Sequence, residues 1–282
     1  MQFSIITPSF RSSDWLKLCV ASVADQDVEV EHIVQDSCSD DGTQDWLPHD
    51  PRVKAFVEKD SGMYDAINRG LRRATGEIVA YLNADEQYLP GALAAVGDCF
   101  RQHPETEVVL GDVMVVDRNG GCLRFRQASV PRRYHTWVSD NLSVSSCGVF
   151  FRRSLIEKRG LFFDERYKDI GDVVWMLKLI EQRVPMRLLG AFTSVFTETG
   201  QNMGLGANVQ RERDELVAAA PSWARCARPL IVLHYRLRRL LAGHYSQEPF
   251  CYSLYTLASP AVRVTLNAAQ PLLTMRRETQ RG

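Results

Sequence analysis

The stretch GEIVAYLNADEQYLPGAL (residues 76–93) decides the fold. Its EIVAYL segment is short and apolar, which reads as a buried strand, and Asn83, Asp85 and Glu86 follow at once. LPGALAAVGDCFRQH (89–103) then reads as a helix. A buried strand that ends in acidic groups and hands over to a helix is one unit of a parallel α/β sheet, and such sheets bind ligands outside the carboxyl ends of their strands.

Upstream the same alternation holds. FSIITPSF (3–10) is a strand ending at Pro8, and SSDWLKLCVASVADQ (12–26) is a helix opened by Ser12 or Ser13. VEHIVQDS (30–37) is a second strand, SCSDDGT (37–43) a turn before a short helix, and VKAFVEK (53–59) a third strand. MYDAINRGLRRA (63–74) is a helix with Met63, Ile67 and Leu71 on one face and Arg69, Arg72 and Arg73 elsewhere, as a solvated face would have them. Downstream, EVVLGDVMVVD and CLRFRQ form a hairpin about residues 118–121, residues 128–146 read as loop, DVVWMLKLIEQR (172–183) as a helix and MRLLGAFTSVFTET (186–199) as a strand. Past about Gly200 the pattern is helical. The expectation is an α/β body over residues 1–205, its sheet mixed and mainly parallel, and a helical basic region over 206–282.

The strand ends carry Pro8 and Phe10, then Asp36, then Asp60 and Gly62, then Asn83, Asp85 and Glu86, so acidic groups converge on one edge. Neither G-x-G-x-x-G nor G-x-x-x-x-G-K-S/T occurs, which excludes those dinucleotide and triphosphate cradles. A carboxylate-rich edge suits a cation, or donors such as base N–H and ribose O–H groups. Asp40 and Asp41 read as turn formers, and the six histidines form no H-x-x-x-H pair.

At 282 residues, 45% apolar and 24% charged, the chain has the composition of a globular protein, not of a disordered, collagen-like or coiled-coil one. Basic and acidic residues number 34 each, so no net field draws it to nucleic acid. From residue 225 onward there are nine arginines, no lysine and two glutamates, a net +7 on a body of −7. Seven irregularly spaced cysteines without C-x-x-C fit neither a disulfide framework nor a zinc site. No basic stretch precedes an apolar one at the N-terminus, and the longest uncharged run, residues 249–262, has 14 residues against the roughly 20 of a membrane-spanning helix. A cytoplasmic protein is expected. In RPLIVLHYRLRRLLAGHY (228–245), Leu230, Leu233, Leu237 and Leu241 share a helical face that Arg236, Arg238 and Arg239 leave, a pattern for an anionic membrane surface or for packing on this body or on a second copy of the chain.

The stretches SIITPSF, VQDSCSDDGT, DSGMYDAINRGL, GEIVAYLNADEQYLPGAL and GVFFRRSLIEKRGLFFDERY with GDVVWMLKL resemble, in order and spacing, the family 2 glycosyltransferases of GT-A fold. The resemblance covers roughly residues 1–200. It implies a non-processive bacterial enzyme of cell-surface polysaccharide synthesis, moving a hexosyl-type sugar from a nucleotide donor, UDP-linked, to a hydroxyl of a glycan or lipid-linked acceptor, with inversion and with Mn²⁺ or Mg²⁺. It also implies that Pro8 and Phe10 support the base, that Asp36 accepts a hydrogen bond from it, and that Asp60 and Gly62 contact the nucleotide. Asn83-Ala84-Asp85 occupies the place of the Asp-x-Asp motif with Asn in first position, leaving Asp85 as the direct metal contact and Glu86 beside it. Asp172 is the candidate base. A domain reduced by Asn83 to a binding subunit, and a sugar nucleotidyltransferase, are the alternatives; the second lacks a Gly- and basic-rich loop in TPSFRSSD.

Overall fold

The computed structural model describes residues 1–139, 143–200 and 207–269. The first half runs β1 (Phe3–Ser9), α1 (Ser13–Ala24), β2 (Val30–Asp36), α2 (Thr43–Trp46), β3 (Lys54–Val57), α3 (Met63–Arg73), β4 (Ile78–Tyr81), β5 (Glu86–Tyr88) and α4 (Ala92–Gln102). It continues through β6 (Val108–Val116), β7 (Cys122–Arg126), α5 (Arg133–Val138), β8 (Val149–Arg152), α6 (Ser154–Glu157), α7 (Gly171–Glu181) and β9 (Met186–Thr197). Beyond these lie α8 (Ala207–Ala218), α9 (Ser222–Cys226), α10 (Arg228–Leu241), β10 (Phe250–Thr256) and β11 (Ser259–Ala268).

Strands β3, β2, β1 and β4 lie side by side and parallel. From β4 the sheet continues through β8, β6, β9 and β5 with mixed direction, and β7 pairs with β6. Alternation along β1 sends Ile5 and Ile6 to opposite faces. Ile5 joins Phe3, Val96, Phe100 and Phe150 on one side, and Ile6 joins Ile67, Leu71, Phe151, Phe163 and Trp175 on the other. Both faces are therefore covered by helices, and the carboxyl ends of β1 to β4 form one open edge.

Three expectations change. Glu86–Tyr88 leaves the site as β5, antiparallel to β9, where the sequence pattern shows only a link to the next helix. Residues 133–138 of the expected loop form α5. The C-terminal region is helical only as far as α10, because FCYSLYT alternates side chains with period two and pairs with β11 as an antiparallel hairpin. That hairpin is fixed to the body. The Gln87 side chain exchanges 2.9 Å hydrogen bonds with the backbone of Tyr255, the Tyr252 hydroxyl donates to the Gly120 carbonyl at 2.7 Å, and Arg263 pairs with Asp25 at 2.5 Å.

Candidate active site

The register of the parallel strands sets Ser9 beside Asp36 and Asp36 beside Val57, so the loops after β1, β2 and β3 leave the sheet together. Pro8 is buried in β1, whereas Phe10 is 50% exposed. The Arg11 guanidinium and the Lys59 ammonium lie 5.1 and 5.0 Å from its ring centre. An exposed aromatic ring with two cations beside it is not part of the core.

Asp36 is fully buried. Its carboxylate accepts the backbone N–H of Ser39 at 2.8 Å and the Ser39 hydroxyl at 2.7 Å, so it shapes the loop after β2 while retaining acceptor lone pairs. Asp41 accepts from the amide of Ser13 at 2.8 Å and from the Thr43 hydroxyl at 2.6 Å, the second being the turn-forming role its sequence suggests, whereas Asp40 forms an exposed ion pair with Arg11 at 2.6 Å. Asp60 accepts the Gly62 N–H at 2.9 Å. Gly62 has φ of 134°, which a side chain would strain, and the space beside it is taken by Lys168, whose Nζ donates to the Ser61 carbonyl at 2.9 Å. Lys168 thus ties the loop before α7 to the Asp60 loop.

The turn after β4 is closed from both sides: Glu86 N–H donates to the Asn83 carbonyl at 3.0 Å, and Asn83 N–H donates to the Glu86 carboxyl at 2.8 Å. Burial, with the charge of Asp85 added, pushes Glu86 up to about 8, and burial pushes Asp85 up to about 6. The Asn83 Oδ1 is a buried acceptor without a hydrogen-bond partner, whereas the Glu86 carboxyl meets the Cys147 thiol. An acceptor oxygen stranded beside a carboxylate raised by burial suits a hard divalent cation, which takes one or two carboxylates and keeps waters or phosphate oxygens. Among the described residues no three His, Cys, Asp or Glu side chains cluster as a full protein cage.

Asp172 stands in the first turn of α7, and its Oδ1 accepts the Val173 N–H at 2.9 Å. Tyr64 of α3 meets it: the phenol donates to Oδ1 at 3.3 Å and accepts the Asp172 backbone N–H at 3.1 Å. The Tyr64 ring is stacked on Phe163, and Phe163 on Trp175, which fixes α3 against α7. Gly171 permits this approach, since a Cβ there would lie 2.6 Å from the Tyr64 ring. Burial raises the Asp172 carboxyl above its usual range, with the Val173 amide and the Tyr64 hydroxyl opposing the shift. Phe163 also meets Tyr81 of β4 edge-on at 5.4 Å between ring centres, so the Tyr64–Asp172 pair lies beside the strand that delivers Asn83 and Asp85.

Two residues that the sequence reading passed over complete the site. Tyr64 lies within DSGMYDAIN, and only its partner 108 residues away reveals its use. Glu212 of α8 accepts the N–H groups of Lys168, Asp169 and Ile170 at 2.8, 3.0 and 3.2 Å, clamping the chain that enters α7. Of the three arginines of α3, Arg72 is exposed over the Phe162 ring at 4.9 Å, as a solvated face would have it, whereas Arg69 and Arg73 are half-buried, Arg69 pairing with Asp65 of the same helix at 2.9 Å and Arg73 with Glu58 at 2.8 Å.

Comparison with known proteins agrees with this fold. The putative teichuronic acid biosynthesis glycosyltransferase TuaG of Bacillus subtilis is 40% identical over 91 residues, 30% of this chain and 36% of that protein, so the chain spans only about a third of its length. The GalNAc(5)-diNAcBac-PP-undecaprenol beta-1,3-glucosyltransferase of Campylobacter jejuni is 24% identical over 220 residues, covering 74% of this chain and 70% of the relative. The crystal structure of S. aureus TarS 1-349 in complex with UDP-GlcNAc superposes with a TM-score of 0.58 at 20% identity, covering 86% of this chain and 73% of that one, and so shares the GT-A fold. Residues 4–160, more than half of the chain and all of the carboxyl edge from Pro8 to Glu86, match Glycosyl transferase family 2, and the chain belongs to that family.

Proposed function

We propose that this family 2 glycosyltransferase transfers a sugar from a UDP-linked donor, with inversion, to a hydroxyl of a glycan or lipid-linked acceptor in cell-surface polysaccharide synthesis. The observation that carries the reading is the pairing of Asp172 with Tyr64 beside the strand that delivers Asn83 and Asp85. The names of the Bacillus and Campylobacter relatives support the pathway and the lipid-linked acceptor, and the UDP-GlcNAc complex of the similar fold supports the donor.

Phe10 offers its exposed face to the base, Asp36 an acceptor lone pair, and Asp60 with the Gly62 backbone a seat for the ribose and diphosphate. Mn²⁺ or Mg²⁺ would be held by Asp85 with Asn83 Oδ1, and when bound it neutralises charge on the departing diphosphate. Glu86 faces inward and supports the turn. Asp172 takes the proton of the acceptor hydroxyl as its oxygen bonds to the anomeric carbon and the carbon–diphosphate bond breaks. A carboxyl raised by burial is a stronger base than an exposed one, and attack opposite the leaving group inverts the centre. Residues 1–205 form the catalytic body, to which residues 206–282 are tied through Glu212 and the β10–β11 hairpin.

The enzyme works at an anionic lipid surface. Leu230, Leu233, Leu237, Leu240 and Leu241 of α10 are exposed and do not pack on the body, Trp223 is exposed beside them in sequence, and the same segment carries Arg225, Arg228, Arg236, Arg238 and Arg239. No helix among the described residues is long and apolar enough to cross a membrane. Titrating UDP with and without Mn²⁺ and following UDP release from UDP-sugars tests the reading: Mn²⁺-strengthened binding with turnover supports it, and binding without turnover marks a binding subunit instead.

A further inference from the structure

A small open cleft lies between α10, the outer edge of β9 and the loop after β7, and none of its lining residues belongs to the strand-end loops that hold Asp60 and Asp85. It is lined by Leu188, Ser129, Tyr235, Arg238, Arg239 and His244 among others, and no carboxylate lines it. Neither Arg238 nor Arg239 has an ion-pair partner among the described residues. The Arg239 Nε–H is buried without a hydrogen-bond acceptor, while its Nη1 donates to the Tyr235 hydroxyl at 3.1 Å. The Ser129 hydroxyl and His244 Nδ1 lie 3.1 Å apart. Burial and then the neighbouring arginines push His244 down, and burial with Arg132 beside it pushes Arg238 down. Asp112 of β6 accepts the Ala128 N–H at 2.7 Å; burial raises its carboxyl to about 6, so at neutral pH it is mostly ionised and offsets part of the Arg239 charge, leaving Arg238 without a carboxylate partner among the described residues.

Two guanidinium groups, with the Arg239 Nε–H unmet and a hydroxyl and an imidazole paired beside them, match a phosphate or diphosphate, which supplies several strong acceptor oxygens. The last turn of α10 that presents Arg238 and Arg239 also exposes Leu237, Leu240 and Leu241. We propose that this cleft binds the diphosphate of a prenyl-linked acceptor, with the leucines of α10 against its hydrocarbon, and so brings the acceptor to the enzyme. The proposal rests on the lipid-linked acceptor reading above.

The test uses the full chain and three probes: inorganic diphosphate, phosphatidylcholine vesicles carrying a long-chain prenyl diphosphate, and vesicles carrying phosphatidylglycerol at matched charge. Inorganic diphosphate is titrated into protein saturated with UDP, so that the donor site is filled. Arg238→Gln should weaken the diphosphate affinity by about tenfold or more, the worth of a charge-assisted hydrogen bond, and Arg239→Gln should do likewise. Prenyl diphosphate vesicles should float more wild-type protein than the charge-matched ones, and Arg238→Gln should erase that difference. Both variants should keep the wild-type UDP affinity, which shows that they fold and separates this site from the donor site. Diphosphate affinity unchanged in both variants overturns the proposal. Equal flotation on the two kinds of vesicle overturns the lipid assignment, and sensitivity to Arg238→Gln with the soluble probe alone then marks a site for free diphosphate. Failure of UDP binding in the wild type would instead count against the donor reading and leaves the vesicle comparison readable.

Discussion

Tyr64 and Asp172 are joined in both directions: one phenolic oxygen donates to the carboxylate at 3.3 Å and accepts from the same residue's backbone amide at 3.1 Å. A single hydroxyl therefore sets both the side chain of the candidate base and the start of the helix that bears it. Because the Tyr64 hydroxyl bonds to the ionised form, it holds the Asp172 carboxyl lower than burial alone would.

Tyr64→Phe should lower turnover by about ten- to a hundredfold, the worth of a buried hydrogen bond to a charged group, while UDP affinity stays as in the wild type. The acid limb of the rate profile should move to higher pH, since the bond that favours the carboxylate is gone. A profile that keeps its wild-type acid limb would separate Tyr64 from the base.

Asp172→Asn should cut turnover by about 10² to 10⁴ and leave UDP binding nearly intact. In the wild type the base works only when ionised, so activity should fall as pH drops through a point above the ordinary aspartate value of about 3.9. The shift is raised by burial, so the same group favours folding at low pH and opposes it as it ionises. Calorimetric titration of UDP beside a coupled rate assay reads both quantities, and equal losses in both would make Asp172 structural.

Glu212 tests the clamp on the chain entering α7. Burial works against its charge, yet the amides of Lys168 and Asp169, the Asn208 side chain and the Ile170 amide outweigh it and hold the carboxyl below its usual range. Glu212→Gln should cost about 1 to 2 kcal/mol at neutral pH. A depressed carboxyl contributes stability that is present above its unfolded value and lost as pH falls, so the difference between wild type and variant should shrink on acidification. Thermal melts across pH check this, and a difference that grows with acid contradicts it.

The leucine face of α10 predicts that Leu233→Asp with Leu237→Asp reduces flotation on phosphatidylglycerol vesicles several-fold and leaves UDP release in solution unchanged. Added salt should weaken wild-type binding as well, because the arginines contribute on the order of 1 kcal/mol each near an anionic surface. Wild-type flotation by the variant, together with a change from dimer to monomer in scattering, would assign the face to a second copy. These point changes serve better than removal of residues beyond 222, which would also strip the hairpin that anchors Tyr255 to Gln87.

What could be read from the residues alone was the part written in local pattern. The strands ending at Ser9, Asp36 and Tyr81, and the helix that begins beside Asp172, lie within a residue or two of where apolar runs and their polar ends put them. The turn that Asp41 builds with Thr43 is equally local, whereas Asp40 reaches back to Arg11 in the loop after β1. Tyr64 and Glu212 escaped because their value depends on α7 and α8 arriving from far along the chain. The hairpin was hidden by averaging: a window rich in arginine and leucine reads as one basic helical tail, although FCYSLYT alone alternates. The pairing of Arg73 with Glu58 was hidden for a related reason, as the two meet only through tertiary packing.

The most direct measurement is UDP release from a panel of UDP-sugars by wild type and Asp85→Asn, with Mn²⁺ and with a chelator. The account predicts release from at least one donor that requires the cation and falls by about a hundredfold or more in the variant, since a metal clamp on the leaving diphosphate supplies several kcal/mol. Release at the wild-type rate by Asp85→Asn, or no release from any UDP-sugar by the wild type, would contradict it.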